Sequence, residues 1–378
     1  MAALASPDMP LKSPVTGRTL AYDTPHSLVA SGERWPVVDG IPYLRTDSEG
    51  LVAVALDHLD AGCPDDALVA LLTDQDAWWA GPATDLSELK RLVRGRDTLS
   101  LREAMALLRL GPVADYFAYR WSDPTYLAGL ALLEAHHDDA GSAFELACGI
   151  GHYLRDLTRH GTACVGADVV FAKCWLAKNW VAPDAEYVVF DAAAGWPIAD
   201  ARFDLVMCHD AFYFLPDQTI VAARLRAACA SGGTLAISHM HNADHAGRAQ
   251  GPALSVADWA ALFPDAQVYD ERALLLALMT QTIPAPTGWV ANPAVEAWSL
   301  VHGAGPPQPV SGGVAMPPAD AVLRRNPLLG DDSAVHWPSP HYHDEYGAGC
   351  FWAIPADARP FAADDVRVRR LVDLPERW

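Results

Sequence analysis

Long apolar runs and paired cysteines are both missing from this sequence of 378 residues. No stretch approaches the roughly 20 apolar residues that cross a bilayer. The first residues also lack a basic segment followed by an apolar core, so neither a membrane span nor a signal peptide is expected.

The seven cysteines are odd in number, and none form a C-x-x-C pair. They are expected to be reduced core thiols of a cytoplasmic protein.

Basic residues are also scarce. The sequence has 27 Lys and Arg and 47 Asp and Glu, which gives a formal charge of −20. A nucleic-acid substrate usually requires a basic patch. The densest cluster, Lys90 to Arg96, is more typical of a solvated helix face. A small-molecule substrate is therefore favoured over RNA or DNA, although an acidic balance also simply favours solubility.

Short apolar segments that end in acidic or polar residues alternate with helical segments in the middle of the chain. Strands are predicted at 144–146, 163–168, 187–191, 203–209 and 233–239, and helices at 152–160, 171–180 and 217–230. This alternation predicts a parallel sheet covered on both faces. Right-handed crossovers then bring the carboxyl ends of the strands to one edge, where ligands bind.

The octet 144–151 reads F-E-L-A-C-G-I-G. Its two glycines let the backbone approach a ligand closely, and the helix that follows offers unpaired N–H groups. The pattern E-x-x-C-G-x-G resembles motif I of the class I S-adenosylmethionine-dependent methyltransferases. Three further matches are the acid after the second strand, the acid after the third and the F-D-x-V opening of the fourth: Asp168, Asp191 and 203–206. An NAD-binding domain is the alternative, disfavoured because Ala147 and Leu154 replace two fingerprint glycines.

The resemblance implies a doubly wound, mostly parallel seven-stranded α/β sheet that binds S-adenosylmethionine. The residues expected to bind this cofactor are Glu145, Ala147, Gly149, Gly151, Asp168, Val169, Asp191, Ala192, His209, Tyr119 and Arg120. In the family the acid at the position of Asp191 contacts the adenine amine. Arg120 lies on a helix that often covers the methionine end, where it would pair with the carboxylate through two hydrogen bonds. A surface ion pair for Arg120, and core packing for the tyrosines of this helix, are the alternatives.

The first 48 residues resemble a small zinc-ribbon-like module that is fused to some methyltransferases. Its cysteine positions are occupied here by Ser13, Thr16, Leu28 and Ser31. Tetrahedral zinc requires thiolate or imidazole ligands, so a metal-free module is expected. Such a module would be a docking lobe on the catalytic domain or, alternatively, would bind a partner.

Four segments are therefore expected along the chain. A degenerate β-rich module at 1–48 is followed by a helical linker at 49–112, which Gly111-Pro112 ends. The methyltransferase domain spans 113–303. The segment 304–378 begins rich in proline and glycine, which indicates a mobile loop. Strands near 297–301 and 350–354 are expected to complete the sheet, with the intervening segment at the active-site edge.

Methyl transfer from a sulfonium is an in-line displacement that requires positioning and, for a hydroxyl or ammonium nucleophile, a base. Histidine suits this role because it titrates near neutrality. His239, His241 and His209 end predicted strands or follow them, and they are the catalytic candidates in that order. The residues expected to bind the substrate are Tyr116, Phe212, Tyr213, His341 and His343. A metal site built from the same histidines is less favoured, because no H-E-x-x-H or similar signature occurs.

These observations favour transfer of a methyl group to a small-molecule acceptor. An RNA or protein methyltransferase is the first alternative. A cofactor-binding protein that has lost methyl transfer is the second. Neither the acceptor nor the attacked atom follows from the sequence.

Overall fold

The computed structural model describes residues 10–75, 81–136, 141–245, 253–331, 334–347, 350 and 366–378. The strands are β1 (Ala21–Thr24), β2 (Ser27–Ala30), β3 (Glu33–Val38), β4 (Ile41–Pro42), β5 (Ser142–Leu146), β6 (Ala163–Asp168), β7 (Glu186–Val189), β8 (Phe203–His209), β9 (Cys229–His241), β10 (Gln267–Asp270), β11 (Ala297–His302), β12 (Arg324–Arg325) and β13 (Leu371–Val372). The helices are α1 (Glu49–Asp60), α2 (Pro64–Leu71), α3 (Leu86–Gly95), α4 (Leu101–Leu107), α5 (Pro112–Tyr119), α6 (Pro124–His136), α7 (His152–Arg159), α8 (Phe171–Leu176), α9 (Gln218–Ala228), α10 (Val256–Leu262), α11 (Glu271–Thr280) and α12 (Pro340–Tyr346).

The N-terminal segment folds as a four-stranded antiparallel sheet in the order β1-β2-β3-β4. Leu28, which occupies a cysteine position of the zinc-ribbon-like pattern, is buried with Trp35 in a core that also includes Phe190 and Val188 of the large domain. The backbone N–H of Leu44 donates to the Val189 carbonyl at 2.7 Å. The small β-rich module is thus confirmed, and it continues the edge of the large sheet at β7.

Hydrogen bonds to one side chain hold the first turn of this module. The hydroxyl oxygen of Ser13 accepts the backbone N–H groups of Val15 at 3.1 Å and Thr16 at 3.0 Å. The same hydroxyl donates to the carboxylate of Glu33. Ser13, one of the residues expected at a cysteine position, thus stabilises this turn through its hydroxyl.

The metal-free state of the module is a testable expectation. Elemental analysis of the untagged protein should find no stoichiometric zinc, because a serine, a threonine and an aliphatic residue are poor zinc ligands. One equivalent of zinc that disappears when residues 1–48 are deleted would contradict this expectation.

Four helices, α1 to α4, occupy the segment predicted to be a helical linker. Their buried residues, among them Leu59, Leu71, Leu92 and Leu101, join the same core as α6 and α7. Gly111 adopts φ +59° immediately before α5, so the predicted break at Gly111-Pro112 starts a new helix. The domain boundaries themselves stay predictions.

The large sheet has seven strands in the order β10-β11-β9-β8-β5-β6-β7. Neighbouring strands from β9 to β7 run parallel, whereas β11 is antiparallel to both β9 and β10. Buried side chains of α6, α7, α8 and α11 cover one face, and those of α9, α10 and the N-terminal module cover the other. The doubly wound, mostly parallel sheet is confirmed.

The edge of the sheet beyond β9 differs in part from the expectation. The strand predicted near 297–301 is β11, but the strand beside it is the four-residue β10, which precedes α11. A strand this short has no periodicity that separates it from a loop. The strand expected at 350–354 lies outside the described residues except for Cys350.

The C-terminal segment returns to the large domain. Arg155 of α7 forms two hydrogen bonds with the Asp373 carboxylate, at 2.9 and 3.0 Å, and both side chains are buried. Within the described ranges, no helix combines the length and apolarity that crossing a membrane requires.

Candidate active site

A cavity of about 500 Å³ lies at the carboxyl edge of the parallel strands, within the roughly 300–1,000 Å³ usual for small-ligand sites. The ends of β5, β6 and β8 form its base, and α5 and α12 cover it. Twelve of the residues expected to bind cofactor or substrate line this cavity: Tyr116, Arg120, Glu145, Ala147, Gly149, Asp168, Val169, Asp191, Ala192, His209, Tyr213 and His341.

The turn after β5 holds its shape through unusual backbone angles. Ala147 has φ +56°, Gly149 has φ +54° and Gly151 has φ +81°. Such angles are costly for residues with a Cβ, so Ala147 is a strained position in the cavity wall. Gly151 precedes the first residue of α7 and does not line the cavity. It starts the helix at this point, and its direct contact with the cofactor stays a prediction.

Asp168, at the end of β6, holds the glycine turn against the next strand. Its carboxylate accepts the N–H of Gly149 at 3.1 Å and that of Val170 at 3.0 Å. Lys173 Nζ lies 3.5 Å from the same carboxylate. The side chain is 4% exposed and borders the cavity. Its carboxylate is thus an acceptor fixed in one orientation, which suits hydrogen bonds from ribose hydroxyls.

Glu145 supplies a buried carboxylate without enough partners. The residue is 2% exposed, and its Oε2 has no hydrogen-bond partner among the described residues. Burial raises the pKa of this carboxyl to about 8, although the nearby Arg120 opposes the shift. An orphaned acid in a cavity wall requires a cationic or hydrogen-donating ligand. The ammonium and sulfonium of S-adenosylmethionine fit this requirement.

The N-terminal module also contributes to the cavity, which the sequence did not indicate. Arg45 is buried between Asp47 and Asp74, and it donates to the Val169 carbonyl at 3.2 Å. Both Arg45 and Asp47 line the cavity beside Val169. The module is therefore part of the cavity wall as well as a lobe docked on the sheet.

A buried ion network surrounds Asp210, the residue after β8. The Asp210 carboxylate accepts the hydroxyls of Tyr116 at 2.8 Å and Tyr213 at 3.0 Å, and Arg120 Nη1 at 2.9 Å. Burial alone would raise the pKa of Asp210, but His239, Arg120 and the two hydroxyls together lower it. Asp210 is thus a fixed anion in the cavity wall. No role for Asp210 was expected from the sequence, although it lies at the carboxyl end of a parallel strand, as Asp168 and Asp191 do.

Arg120 is the cationic member of this network. Its Nη1 binds Asp123, Asp210 and Thr125. The guanidinium also lies 4.8 Å from the centre of the Tyr116 ring. Arg120 therefore neutralises a buried acid pair, and its contact with the methionine carboxylate stays a prediction.

His239 lies behind Asp210 and does not line the cavity. Its Nδ1 is 2.9 Å from Glu271, and its Nε2 is 3.8 Å from Asp210. Burial disfavours the charged ring, but Glu271, Asp210 and Glu296 together raise the pKa of His239 to about 10. A ring that stays protonated at neutral pH does not accept a proton. This geometry does not favour His239 as a general base, and its catalytic role stays an untested prediction.

Four other expected site residues lie outside the cavity lining. His241 packs against the ring of Tyr213, with ring centres 4.3 Å apart. Phe212 is in the core against Trp259 and Phe263. Tyr119 packs edge-on against Tyr342 and Trp378, and His343 packs against Trp337 with its side chain 55% exposed. These positions give no support to the direct roles in catalysis, substrate binding and cofactor binding that the sequence suggested, and those roles stay predictions.

His209 does line the cavity but is a poor base. Burial, with Arg120 nearby, lowers its pKa to about 3. Nδ1 is 2.8 Å from the Ser238 hydroxyl, and Nε2 has no partner among the described residues. His209 is thus a neutral ring with one unpaired nitrogen in the cavity wall.

The helix α12 places polar side chains of the C-terminal segment over the cavity. His341, Glu345 and Tyr346 line it, and His341 Nε2 is 3.4 Å from Glu345 Oε2. Burial and the proximity of Asp210 raise the pKa of Glu345. Sequence spacing indicated His341 but not Glu345 as a substrate-binding residue, because nothing local shows which side of α12 faces the strands.

Metal binding has no geometric support in the described ranges, where no group of three or more His, Cys, Asp or Glu side chains is arranged to hold an ion.

Comparison with known families agrees with this geometry. Residues 144–237 match the family described as a methyltransferase domain. The match begins in β5 and ends in β9, and it includes the glycine turn and all three strand-end acids at 145, 168 and 191. The chain therefore contains a class I, S-adenosylmethionine-dependent methyltransferase domain. No curated protein matches this sequence.

Solved structures with a similar fold include two of phosphoethanolamine N-methyltransferase 2 from Haemonchus contortus. The first, in complex with S-adenosyl-L-methionine, is 18% identical with a TM-score of 0.38 and covers 47% of this chain and 49% of that one. The second, with phosphomonomethylethanolamine and S-adenosylhomocysteine, is 17% identical with a TM-score of 0.40 and covers 56% and 61%. A TehB-like methyltransferase from Corynebacterium glutamicum is 20% identical with a TM-score of 0.36 and covers 50% and 98%. The match spans about half of the first of these proteins.

Proposed function

We propose that this protein transfers the methyl group of S-adenosylmethionine to a small-molecule acceptor. The observation that carries the proposal is the cavity of about 500 Å³ under α5 and α12, in which the strand-end acids occupy one side and tyrosines with Asp210 the other. One volume of this kind holds cofactor and acceptor together and excludes water, which in-line displacement requires.

The residues divide into two groups by the chemistry they offer. Asp168 and Asp191 would accept hydrogen bonds from the adenosine, and Glu145 would face the cationic end of the cofactor. S-adenosylmethionine supplies an electrophilic methyl group on a sulfonium. On the other side, Tyr116 and Tyr213, fixed by Asp210, would orient the acceptor, and α12 with α5 would exclude solvent.

An acidic and covered site supports a small acceptor over RNA. The cavity lining includes seven carboxylates and three cationic side chains, and the whole chain has a formal charge of −20. A phosphate backbone would meet repulsion at such a rim. The test is incubation of the protein with methyl-labelled S-adenosylmethionine and separate pools of small metabolites, RNA and protein. Label in RNA or protein but not in the small-molecule pool would contradict the proposal, and label in none would favour a protein that has lost methyl transfer.

Loss of Asp168 should weaken cofactor binding. Asp168→Ala is expected to reduce the binding free energy of S-adenosylmethionine by about 1–3 kcal/mol, because charged hydrogen bonds to the ribose disappear. Isothermal titration calorimetry measures the change. The control is Asp184→Ala, an exposed acid in the loop before β7, which should leave the affinity unchanged. Equal affinity of the Asp168→Ala and Asp184→Ala proteins would contradict the assignment.

Cofactor binding should also release a proton from Glu145. Because burial raises the pKa of this carboxyl to about 8, it is mostly protonated at pH 7. A cationic ligand lowers that pKa and expels the proton. Calorimetry at pH 7 in buffers of different ionisation enthalpy should therefore show release of close to one proton, and Glu145→Gln should abolish it. Proton release that persists in Glu145→Gln would assign the proton to another group.

A further inference from the structure

The acceptor side of the cavity differs from the cofactor side in its chemistry. Three parts of the chain form it. Helix α5 contributes Tyr116, the residues that follow β8 contribute Asp210 and Tyr213, and helix α12 contributes Glu345 and Tyr346. The rings of Tyr116 and Tyr346 have centres 6.5 Å apart. Two carboxylates and several aromatic faces therefore surround one volume.

The cationic groups of the cavity are already committed to carboxylates. Arg120 binds Asp123 and Asp210. Arg45 binds Asp47 and Asp74, and Lys173 lies 3.5 Å from Asp168. An anionic acceptor would thus find these three cations already paired with carboxylates, and it would meet Glu345, whose basic neighbour is His341 at 3.4 Å. Such a contact is costly in a partly buried site.

An unpaired nitrogen in the cavity wall indicates that the site binds a polar ligand. His209 is 4% exposed and lines the cavity, and its Nε2 has no hydrogen-bond partner among the described residues. Buried polar atoms are normally paired. An acceptor with hydrogen-bonding capacity at its reacting end would satisfy this nitrogen.

We propose that the methyl acceptor is a small amine, whose ammonium is held by Glu345 and the tyrosines around Asp210. The inference rests on the proposed function. Carboxylates and the faces of tyrosine rings both attract ammonium ions. The face of Tyr116 already contacts one cation, the guanidinium of Arg120, at 4.8 Å.

Glu345 also suits the proton transfer that an ammonium requires. The ammonium gives one N–H proton to the Glu345 carboxylate and becomes a neutral amine. The nitrogen lone pair then forms the C–N bond as the C–S bond breaks, and the electron pair of that bond stays on sulfur to give S-adenosylhomocysteine. The product carries the positive charge on its methylated nitrogen. Burial and the proximity of Asp210 raise the pKa of Glu345, which makes it a better proton acceptor than an exposed glutamate.

The test uses two probes that differ only at the reacting group. 2-Phenylethylamine is a cation at pH 7.5, and 2-phenylethanol is its neutral counterpart. Their binding to the full-length protein is measured by calorimetry with S-adenosylhomocysteine present at saturation. The amine is expected to bind at least tenfold more tightly than the alcohol, and Glu345→Gln should remove most of this preference.

The matched control is Asp344→Asn, which removes the neighbouring acid of the same helix. Its side chain is 81% exposed and does not line the cavity, so the preference for the amine should persist. Equal or weaker binding of the amine in the wild-type protein, including no detectable binding of either probe, would overturn the proposal while leaving cofactor binding intact. A preference that survives Glu345→Gln would overturn the role of Glu345. Failure of the wild-type protein to bind S-adenosylhomocysteine would instead contradict the proposed function itself.

Discussion

Replacing Asp123 by alanine is expected to lower the free energy of unfolding by about 3–5 kcal/mol, the usual cost of removing one partner of a buried ion pair. Asp123 is fully buried, and its carboxylate contacts Arg120 Nη1 at 3.1 Å. It also accepts the N–H of Tyr126 at 2.7 Å at the start of α6. The change therefore removes a helix cap as well as a counterion from the centre of the molecule.

A control at another helix separates the contribution of the helix cap from that of the buried counterion. Asp217 caps α9 through the N–H of Ile220 but is exposed and outside the buried network. Asp217→Ala should cost about 1 kcal/mol, the usual value for a lost cap. Urea unfolding followed by circular dichroism gives both values. A loss in Asp123→Ala no larger than in Asp217→Ala would show that Asp210 alone is sufficient to hold Arg120.

Stability should fall by about 3–5 kcal/mol as the pH rises from about 7 to about 10, because His239 then loses its proton. The carboxylates of Glu271, Asp210 and Glu296 outweigh burial and raise the pKa of His239 to about 10, whereas an unfolded histidine titrates near 6.5. A folded-state pKa above the unfolded value stabilises the fold fully below about 6.5. That contribution decreases as the folded ring titrates at alkaline pH.

A neutral side chain at this position isolates the effect from other alkaline titrations. His239→Gln should be less stable than the wild type at pH 7, and the difference should disappear near pH 10. His26→Gln, at an exposed turn of the N-terminal module, should follow the wild type at every pH. A His239→Gln curve parallel to that of the wild type would show that the ring is not a buried cation.

The sequence was sufficient for the cofactor side of the site because its signals are local. Each acid there ends or directly follows an apolar strand, and the glycine turn lies between a strand and a helix. Parallel strands joined by right-handed crossovers bring these ends to one edge whatever the details of packing. Glu145, Asp168 and Asp191 could therefore be placed together from their positions along the chain.

The acceptor side was decided by tertiary structure. Asp210 is a fixed anion because three side chains converge on it: Tyr116 from α5, Arg120 from the residue after α5, and His239 from β9. His239 is a cation because α11 brings Glu271 within 2.9 Å.

The N-terminal module and α12 reach the same cavity from opposite ends of the chain, with Asp47 and Glu345. No local sequence pattern indicates that these two segments line the cavity. Local residue order thus determined the fold and the grouping of the three strand-end acids at one edge, whereas the charge on each buried group, and with it the chemistry toward the proposed acceptor, depends on neighbours that only the folded chain supplies.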